Sequence, residues 1–485
     1  MADFKTRIET GALARAGLLD ADAIEAAAGL LERVAESDLE TVRVLFADQH
    51  GVLRGKTIVA SALPSIFTSG LAAPSTLLLK DTSHRTVFPI WSENIGVAGD
   101  MGGAGDILML PDPATFRVLP WSPHSAWIFC DPRLKSGAVI PFSPRDMLRA
   151  AVEKLAAHNL DLVVGLEVEF HVFERVDGKL GHADATMPGQ PIQTRNLAQG
   201  YQFLTGTRYG ELEPVMDVLR RHCQAMDLPV RSMEVEMGPS QFEFTFDPSD
   251  PLTHADNMMM FRALVKETCA ARGLHATFMS RPRVENAAAS GWHLHQSLVD
   301  RTTGENVMAP SQDGTISVAA SGWIAGLLTH AAESCLMTTP TVNGYKRYRP
   351  HQLAPESIQW GRDNRGTMIR GLMAAGDPAS RIENRVAETA ANPYYFFTSQ
   401  ILSGLDGIKT GTKAPDPVET PYDNGSPRLP ANLLDAIRLM NGSEFYRTAL
   451  GDAFVDYITT IRQAEWDRYH LAVSQWEQAE YFGLY

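Results

Sequence analysis

An α+β fold is expected for this chain, on three observations. Strand-like runs and helix-like runs succeed one another without a regular βαβ rhythm, which disfavours a doubly wound parallel sheet. Residues 60 to 140 are rich in Gly, Pro and short apolar runs, as in a small, mostly β unit with long loops. The first and last stretches of the chain carry apolar residues at helical spacing among good helix formers. At 485 residues the chain exceeds what one core normally serves, so two domains are expected.

Taken in order, DADAIEAAAGLLERVAE predicts a helix from about 20 to 35. TVRVLFAD alternates as a half-buried strand, and Gly51 in QHGVLRGK is placed for a hairpin. GDILMLPDP, FRVLPW and AWIFCDP are the short apolar runs of the β unit. The Gly-rich GDMGGAGD (99 to 106) lacks the lysine of a phosphate-binding loop, is flanked by acids, and is read as a loop. Ser143-Pro144-Arg145-Asp146 has the serine, proline and acid of a helix start, predicting a helix to about Asn159. Residues 408 to 430 read as a long exposed loop, and the last 55 residues as helices.

Charge and cysteine usage exclude some classes. With 43 Lys+Arg against 57 Asp+Glu the net charge is −14, so no basic excess is available to replace the counterions of nucleic acid or an anionic membrane. Cys130, Cys223, Cys269 and Cys335 form no C-x-x-C pair and are read as buried free thiols in a reducing compartment. The N-terminus has no signal-like apolar core and no run of about eighteen apolar residues occurs, so a cytoplasmic location is expected.

Four strand-like segments carry polar groups two residues apart, where an apolar face would normally continue. VVGLEVEFHVF makes Glu167 and Glu169 co-facial, and MEVEMGPSQFEFTF does so for Gln241 and Glu243, with Glu236 upstream across a Gly-Pro turn. GWHLHQSL pairs His293 with His295, and SRIENRV aligns Arg381, Glu383 and Arg385. One E-x-E alone is more often a solvated sheet face. Five carboxylates and an imidazole on one surface need compensating cations, and hard divalent ions such as Mg²⁺ or Mn²⁺ prefer carboxylate oxygens; two would suit the count. Arg347 in NGYKRYRP, with Arg365 and Arg370 in RDNRGTMIR, joins Arg381 and Arg385 as forks for carboxylate or phosphate. Metals with several arginines suggest phosphoryl transfer from a nucleotide to a carboxylate.

These motifs in this order resemble the glutamine synthetase superfamily from about residue 40 to 480. FADQHGVLRGK resembles its N-terminal β-grasp signature. GLEVEF, EMGPSQFE, ATFMSRP, SGWHLHQSL, NGYKRYRP, DNRGTMIR, RIENR and ANPYYFFTSQILSGLDGI resemble its catalytic signatures. The resemblance implies a helical segment at 1–37, a small β-grasp domain at 38–140 and a catalytic domain at 141–485, whose curved antiparallel sheet lines the active site. It further implies a homo-oligomer, commonly a dodecamer of two hexameric rings, with active sites shared between neighbours. One metal would be held by Glu169, Glu236 and Glu243, with Glu234 competing for the place of Glu236, and the other by Glu167, His293 and Glu383. Arg347 would bind the α-carboxylate of L-glutamate, and Arg365 and Arg385 its γ-carboxylate and the phosphoryl group. His295, Ser297, Arg370 and Arg381 would face ATP, and Asp48 of a neighbouring subunit would meet the amine. The implied reaction phosphorylates the γ-carboxylate, and an amine then displaces phosphate to give a γ-glutamyl amide.

Two departures from the family pattern bear on the substrates. Ammonia-using members carry a glutamate where RPHQLAP has Leu353, and losing that anionic cage argues for another amine. Ala288-Ala289 replaces an Asn-Gly pair in the glutamate loop, which bears on whether L-glutamate itself is the acyl donor. The missing glutamate and WGRDNR resemble γ-glutamyl-amine ligases acting on polyamines, alkylamines or anilines. Leu353, with Tyr348 and Trp292 as expected liners, favours an apolar or aromatic amine. Tyr422, in ETPYDNGS, is not expected to be adenylylated. Ammonia-dependent glutamine synthesis and a non-catalytic scaffold are the alternatives.

Overall fold

Two short helices, α1 (Phe4–Glu9) and α2 (Ala12–Arg15), precede α3 (Ala21–Ala35), whose start is set by the Asp20 carboxylate accepting from the Ala23 N–H at 2.8 Å. Ile24, Ala27, Leu31 and Val34 lie along the buried stripe of α3. The computed structural model describes residues 4–93, 95–177, 181–349, 353–423 and 425–485. In β1 (Thr41–Ala47), Val42, Val44 and Phe46 alternate into the core. The chain turns at Gly51 into antiparallel β2 (Leu53–Val59). Helix α4 (Leu63–Ser69), β3 (Leu71–Pro74), β4 (Asp106–Pro111), β5 (Arg117–Leu119) and β6 (Ser122–Arg133) complete this unit. Its six-stranded sheet runs β2-β1-β6-β4-β3 with β5 on β6, and β1 and β6 are parallel. Residues 96–104, within and before the Gly-rich stretch read as a loop, form 3₁₀ turns kinked at Ala98 and at Gly102–Gly103.

Helix α5 (Pro144–Ala156) starts where the sequence predicts, but Ser143 does not cap it with a backbone bond. Its hydroxyl donates instead to Asp146 at 2.6 Å, because that carboxylate anchors an ion network: Arg133 reaches it at 2.5 Å and Arg149 at 2.7 Å. The helix stops short of Asn159, which adopts a left-handed φ of +61°. Arg145, buried at the N-terminus of α5, holds Asp112 at 2.6 Å and Asp131 at 3.1 Å on the six-stranded side.

The larger sheet is built from β7 (Leu160–Arg175), β8 (Thr194–Asn196), β9 (Val230–Val235), β10 (Gln241–Phe246), β11 (Leu274–Thr277), β12 (Trp292–Asp300), β13 (Trp360–Arg362), β14 (Ile369–Leu372) and β15 (Arg381–Asn384). Its order is β13-β14-β15-β12-β7-β10-β9, with β8 and β11 also on β7. All pairs are antiparallel except β13 with β14, so the expected antiparallel sheet has one parallel edge.

Helices α6 (Gly206–Ala225), α7 (Pro251–Ala270), α8 (Val318–Thr329), α9 (Ala331–Thr338) and α10 (Pro393–Thr410) supply the packing. Trp292 of β12 meets Phe396 and Phe397 of α10, and Gln296 accepts from the Trp323 indole of α8 at 2.9 Å. Asp256 of α7 accepts from Arg145 at 2.9 Å and from the Tyr394 hydroxyl of α10 at 2.6 Å, which ties the two units together. After α10 the chain runs irregularly to α11 (Leu433–Asn441), α12 (Glu444–Leu450), α13 (Asp452–Leu471) and α14 (Gln475–Tyr481). The four cysteines are buried and free, and no helix among the described residues is long and apolar enough to cross a membrane.

Candidate active site

Helices α8 and α10 cover one face of the larger sheet, and period-two geometry sends the polar residues to the other. Register then decides which of them meet. Glu167 of β7 lies opposite His293 of β12, Glu169 opposite Glu243 of β10, and Glu383 of β15 lies between His295 of β12 and Arg370 of β14. Directly opposed residues share a face within about 5.5 Å, so three strands, β7, β10 and β15, deliver acids to one place and β12 adds the histidines.

Three groups of ligand atoms converge within 4.8 Å: Glu169 with Glu236 and Glu243, Glu167 with Glu243 and His293, and Glu167 with His295 and Glu383. Glu234 lies opposite Glu243 but accepts from the Ser232 hydroxyl at 2.9 Å, leaving Glu236 in the convergent group. In the other expected set, His293 Nδ1 lies 2.5 Å from Glu167 and 3.5 Å from Glu383. His295, expected to face a nucleotide, lies 3.3 Å from Glu167 and takes a hydrogen bond from Arg381 at 3.2 Å, so its Nε2–H points at the acid. Gln241 holds Glu169 at 3.1 Å and reaches the carbonyl of Ala289 at 3.2 Å, which seats the Ala288-Ala289 segment beside the cluster.

The acids fit a hard divalent ion. Burial, then Glu236, pushes Glu169 up to about 8. Burial, then Glu167, Glu169, Glu236 and Glu234, pushes Glu243 up to about 12. Burial also raises Glu236 to about 7, aided by Glu167 and Glu234. Like charges crowd here, and carboxylates are donors that Mg²⁺ and Mn²⁺ favour. Burial opposes ionisation of Glu167, but His293 and His295 outweigh it and hold the carboxyl low. Glu383 is likewise held low against burial by Arg385, His293 and His295. Burial and then Arg385 depress His293, against the pull of Glu167 and Glu383.

Arg347 is 2 % exposed and donates to the Val386 carbonyl at 2.9 Å, with its Nε left without a partner. A Cβ at Gly291 would lie 3.0 Å from its guanidinium and 3.1 Å from His293, so glycine lets this cation approach the cluster. The Gly291 N–H also donates to Glu169 at 3.0 Å. Arg385 pairs with Glu383, and Arg370 bridges Glu383 at 3.0 Å and Asp363 at 2.6 Å. Asp363, seven residues before Arg370, showed no periodic signal in the sequence.

Six expected residues sit elsewhere or are otherwise engaged within the single chain. Asp48 is fully buried, and its carboxylate is used within its own turn by the N–H groups of His50 and Val52 and by Arg54 at 2.8 Å. Within one chain it is a turn-holding residue. Trp292 is fully buried on the packed face of β12, beneath the Arg262 guanidinium, and lines no pocket. The Tyr348 hydroxyl bonds Thr339 at 2.7 Å, and the Ser297 hydroxyl donates to the Ser380 carbonyl at 3.0 Å. Arg365 is exposed in the turn between β13 and β14 and makes no ion pair among the described residues. Leu353 is exposed, with a left-handed φ of +54°, and the Pro350–Gln352 part of its loop lies outside the described residues. The exposed apolar groups beside the cluster are instead Met237, next to Glu236, and Tyr201, whose N–H donates to the Met237 carbonyl at 2.7 Å. Both sit in irregular loops, which carry no periodicity to reveal them.

Residues 141–481 match the family model described as the glutamine synthetase catalytic domain. The chain is 38% identical over 480 residues to the gamma-glutamylanilide synthase of an Acinetobacter species, covering 95% of this chain and 96% of that one. It is 31% identical over 448 residues to the gamma-glutamylethanolamide synthetase GlnA4 of Streptomyces coelicolor, covering 92% and 93%. Among solved structures, GmaS without ligand superposes with a TM-score of 0.78 at 26% identity, over 93% of this chain and 99% of that one.

Proposed function

Because the chain belongs to the glutamine synthetase family, an ATP-dependent family of carbon–nitrogen ligases that use divalent metals, glutamate and an amine, we propose that it joins the γ-carboxylate of L-glutamate to an apolar or aromatic amine. The observation that carries this reading is the convergence of Glu167, Glu169, Glu236, Glu243, His293 and Glu383 beside the buried guanidinium of Arg347. Glu169, Glu236 and Glu243 would hold one Mg²⁺ or Mn²⁺, and Glu167, His293 and Glu383 a second, with His295 close enough to share it. When bound, the ions neutralise charge on the phosphoryl group being transferred. Arg347 would fix the α-carboxylate of glutamate, and Arg365 and Arg385 would steady its γ-carboxylate. Arg370, Arg381, His295 and Ser297 would border the nucleotide. Asp48 of a neighbouring subunit would meet the incoming amine.

An aromatic or alkyl amine is favoured by Leu353, by the apolar Met237 and Tyr201 beside Glu236, and by the likeness to a gamma-glutamylanilide synthase. A neutral amine needs no anionic cage, whereas ammonium does. The domains proposed are a helical segment at 1–37, a β-grasp domain at 38–140 and a catalytic domain at 141–485. The four buried thiols suit a reducing cytoplasm. The proposed assembly is a homo-oligomer, a dodecamer of two hexameric rings; an apolar C-terminal tail, where Trp476 is 63% and Phe482 78% exposed, supports self-association but not a particular number of subunits.

The test is metal-dependent ADP release with L-glutamate and ammonium, ethanolamine, isopropylamine, putrescine or aniline, with mass detection of each amide. Aniline or isopropylamine should win by at least about tenfold, a difference of some 1.4 kcal/mol in the barrier, and Leu353→Glu should raise ammonium use. Ammonium winning in the unaltered protein would identify an ordinary glutamine synthetase, and absence of metal-dependent ATP binding would identify a scaffold.

A further inference from the structure

We propose that Glu388 is a positioning residue for Arg347, and through it for the α-carboxylate of glutamate; the inference rests on the ligase reading above. Glu388 is fully buried and lies outside the acidic cluster. Its carboxylate is a node between the segments that wall the site. One oxygen accepts from the Thr341 N–H at 2.7 Å, and the other accepts from the Thr341 hydroxyl at 2.8 Å and the Ser280 hydroxyl at 2.9 Å.

Thr341 opens the loop that ends in the 3₁₀ turn Gly344–Arg347. That loop is pressed onto the carboxylate: a Cβ at Gly344 would lie 2.6 Å from the Glu388 carboxyl carbon, so only glycine fits. The Glu388 N–H binds the Thr338 carbonyl at 3.0 Å, fixing the other end of the same loop. Ser280 leads into the second segment, where its carbonyl accepts from the Ser290 N–H at 2.7 Å, one residue before Gly291. Gly291 itself bridges to Glu388 through the backbone, while its N–H holds Glu169. Arg347 therefore reaches the cluster from a loop whose height above the sheet is set by one buried carboxylate.

Three donors converge on Glu388, and a carboxylate can accept from all of them. Glutamine keeps the shape but offers one acceptor oxygen and turns an NH₂ toward the remaining donors, so the loop must shift to relieve it. A shift of this kind moves Arg347 without touching a metal ligand.

The test is initial-rate ADP release by the full-length enzyme with Mg²⁺ and the best amine, varying glutamate, ATP and metal separately. Glu388→Gln should raise KM for glutamate about tenfold or more, with KM for ATP and the metal midpoint unchanged. Thr341→Val should move the glutamate KM in the same direction, and Thr341→Ser, which restores the hydroxyl, should return it to the unaltered value. The Thr341 pair keeps the proposal open to refutation if Glu388→Gln does not fold. A folded Thr341→Val with unchanged glutamate KM would overturn the inference, as would a parallel rise in every KM. Unaltered protein with no glutamate-dependent turnover would overturn the ligase reading and this inference with it.

Discussion

Glu243 faces Glu169 across the register of β7 and β10, and that crowding has a thermodynamic sign. Raised to about 12, with Glu169 at about 8 and Glu236 at about 7, these carboxyls keep protons in the metal-free fold that the unfolded chain releases near 4.5. The folded state then binds more protons than the unfolded one, so metal-free stability falls as pH rises from about 4.5 toward 8. Metal must displace those protons, and its affinity rises over the same range. We expect the melting temperature of chelator-treated protein to drop between pH 5 and pH 8, while Mn²⁺ restores more at pH 8 than at pH 5, and Glu243→Gln to flatten the dependence. Equal stabilisation by Mn²⁺ at both pH values would sink the argument. The acids were legible in the sequence because E-x-E and H-x-H break an apolar alternation that physics otherwise maintains. Trp292 was misplaced because no local pattern says whether an aromatic side chain faces a cavity or packs into the core.

The helix start at Ser143-Pro144-Arg145-Asp146 was equally legible, yet the partners of its charges were not. Arg145 finds Asp112, Asp131 and Asp256 from three separate elements, and sequence spacing holds no trace of such a meeting. Removing one partner of a buried ion network leaves the others uncompensated, which typically costs about 3–5 kcal/mol. Arg145→Met should therefore lower unfolding stability by an amount of that order in urea titrations. Adding Asp256→Asn should recover part of the loss; independent, additive losses would argue against a shared network. The four polar strands were likewise read from alternation, but which acid opposes which histidine depends on register. Register is fixed by loop lengths and by packing on α8 and α10, and neither is written within a strand. The parallel β13–β14 edge escaped for the same reason.

Across the molecule, the six-stranded unit, the larger sheet and the terminal helices follow the order expected from composition and periodicity, and the proposed assembly is tested at the apolar tail. Leu471 is 81% exposed, Val473 77% and Tyr485 94%, on a segment that Arg283 holds to the body through Gln475. Apolar surface of this kind is stable in water when something covers it, and a second copy is the occupant we expect. Deleting residues 472–485 should lower the sedimenting mass while the far-ultraviolet spectrum of the subunit is retained; an unchanged mass would locate the assembly contacts elsewhere. The order of the proposed metal ligands along the chain also bears on biosynthesis. Glu169, Glu236 and Glu243 are all present once residue 243 has left the ribosome, whereas the group containing Glu167, His295 and Glu383 waits for β15. A nascent chain can thus hold one set of acids long before the other exists, so a truncated translation product would carry only half of the proposed centre.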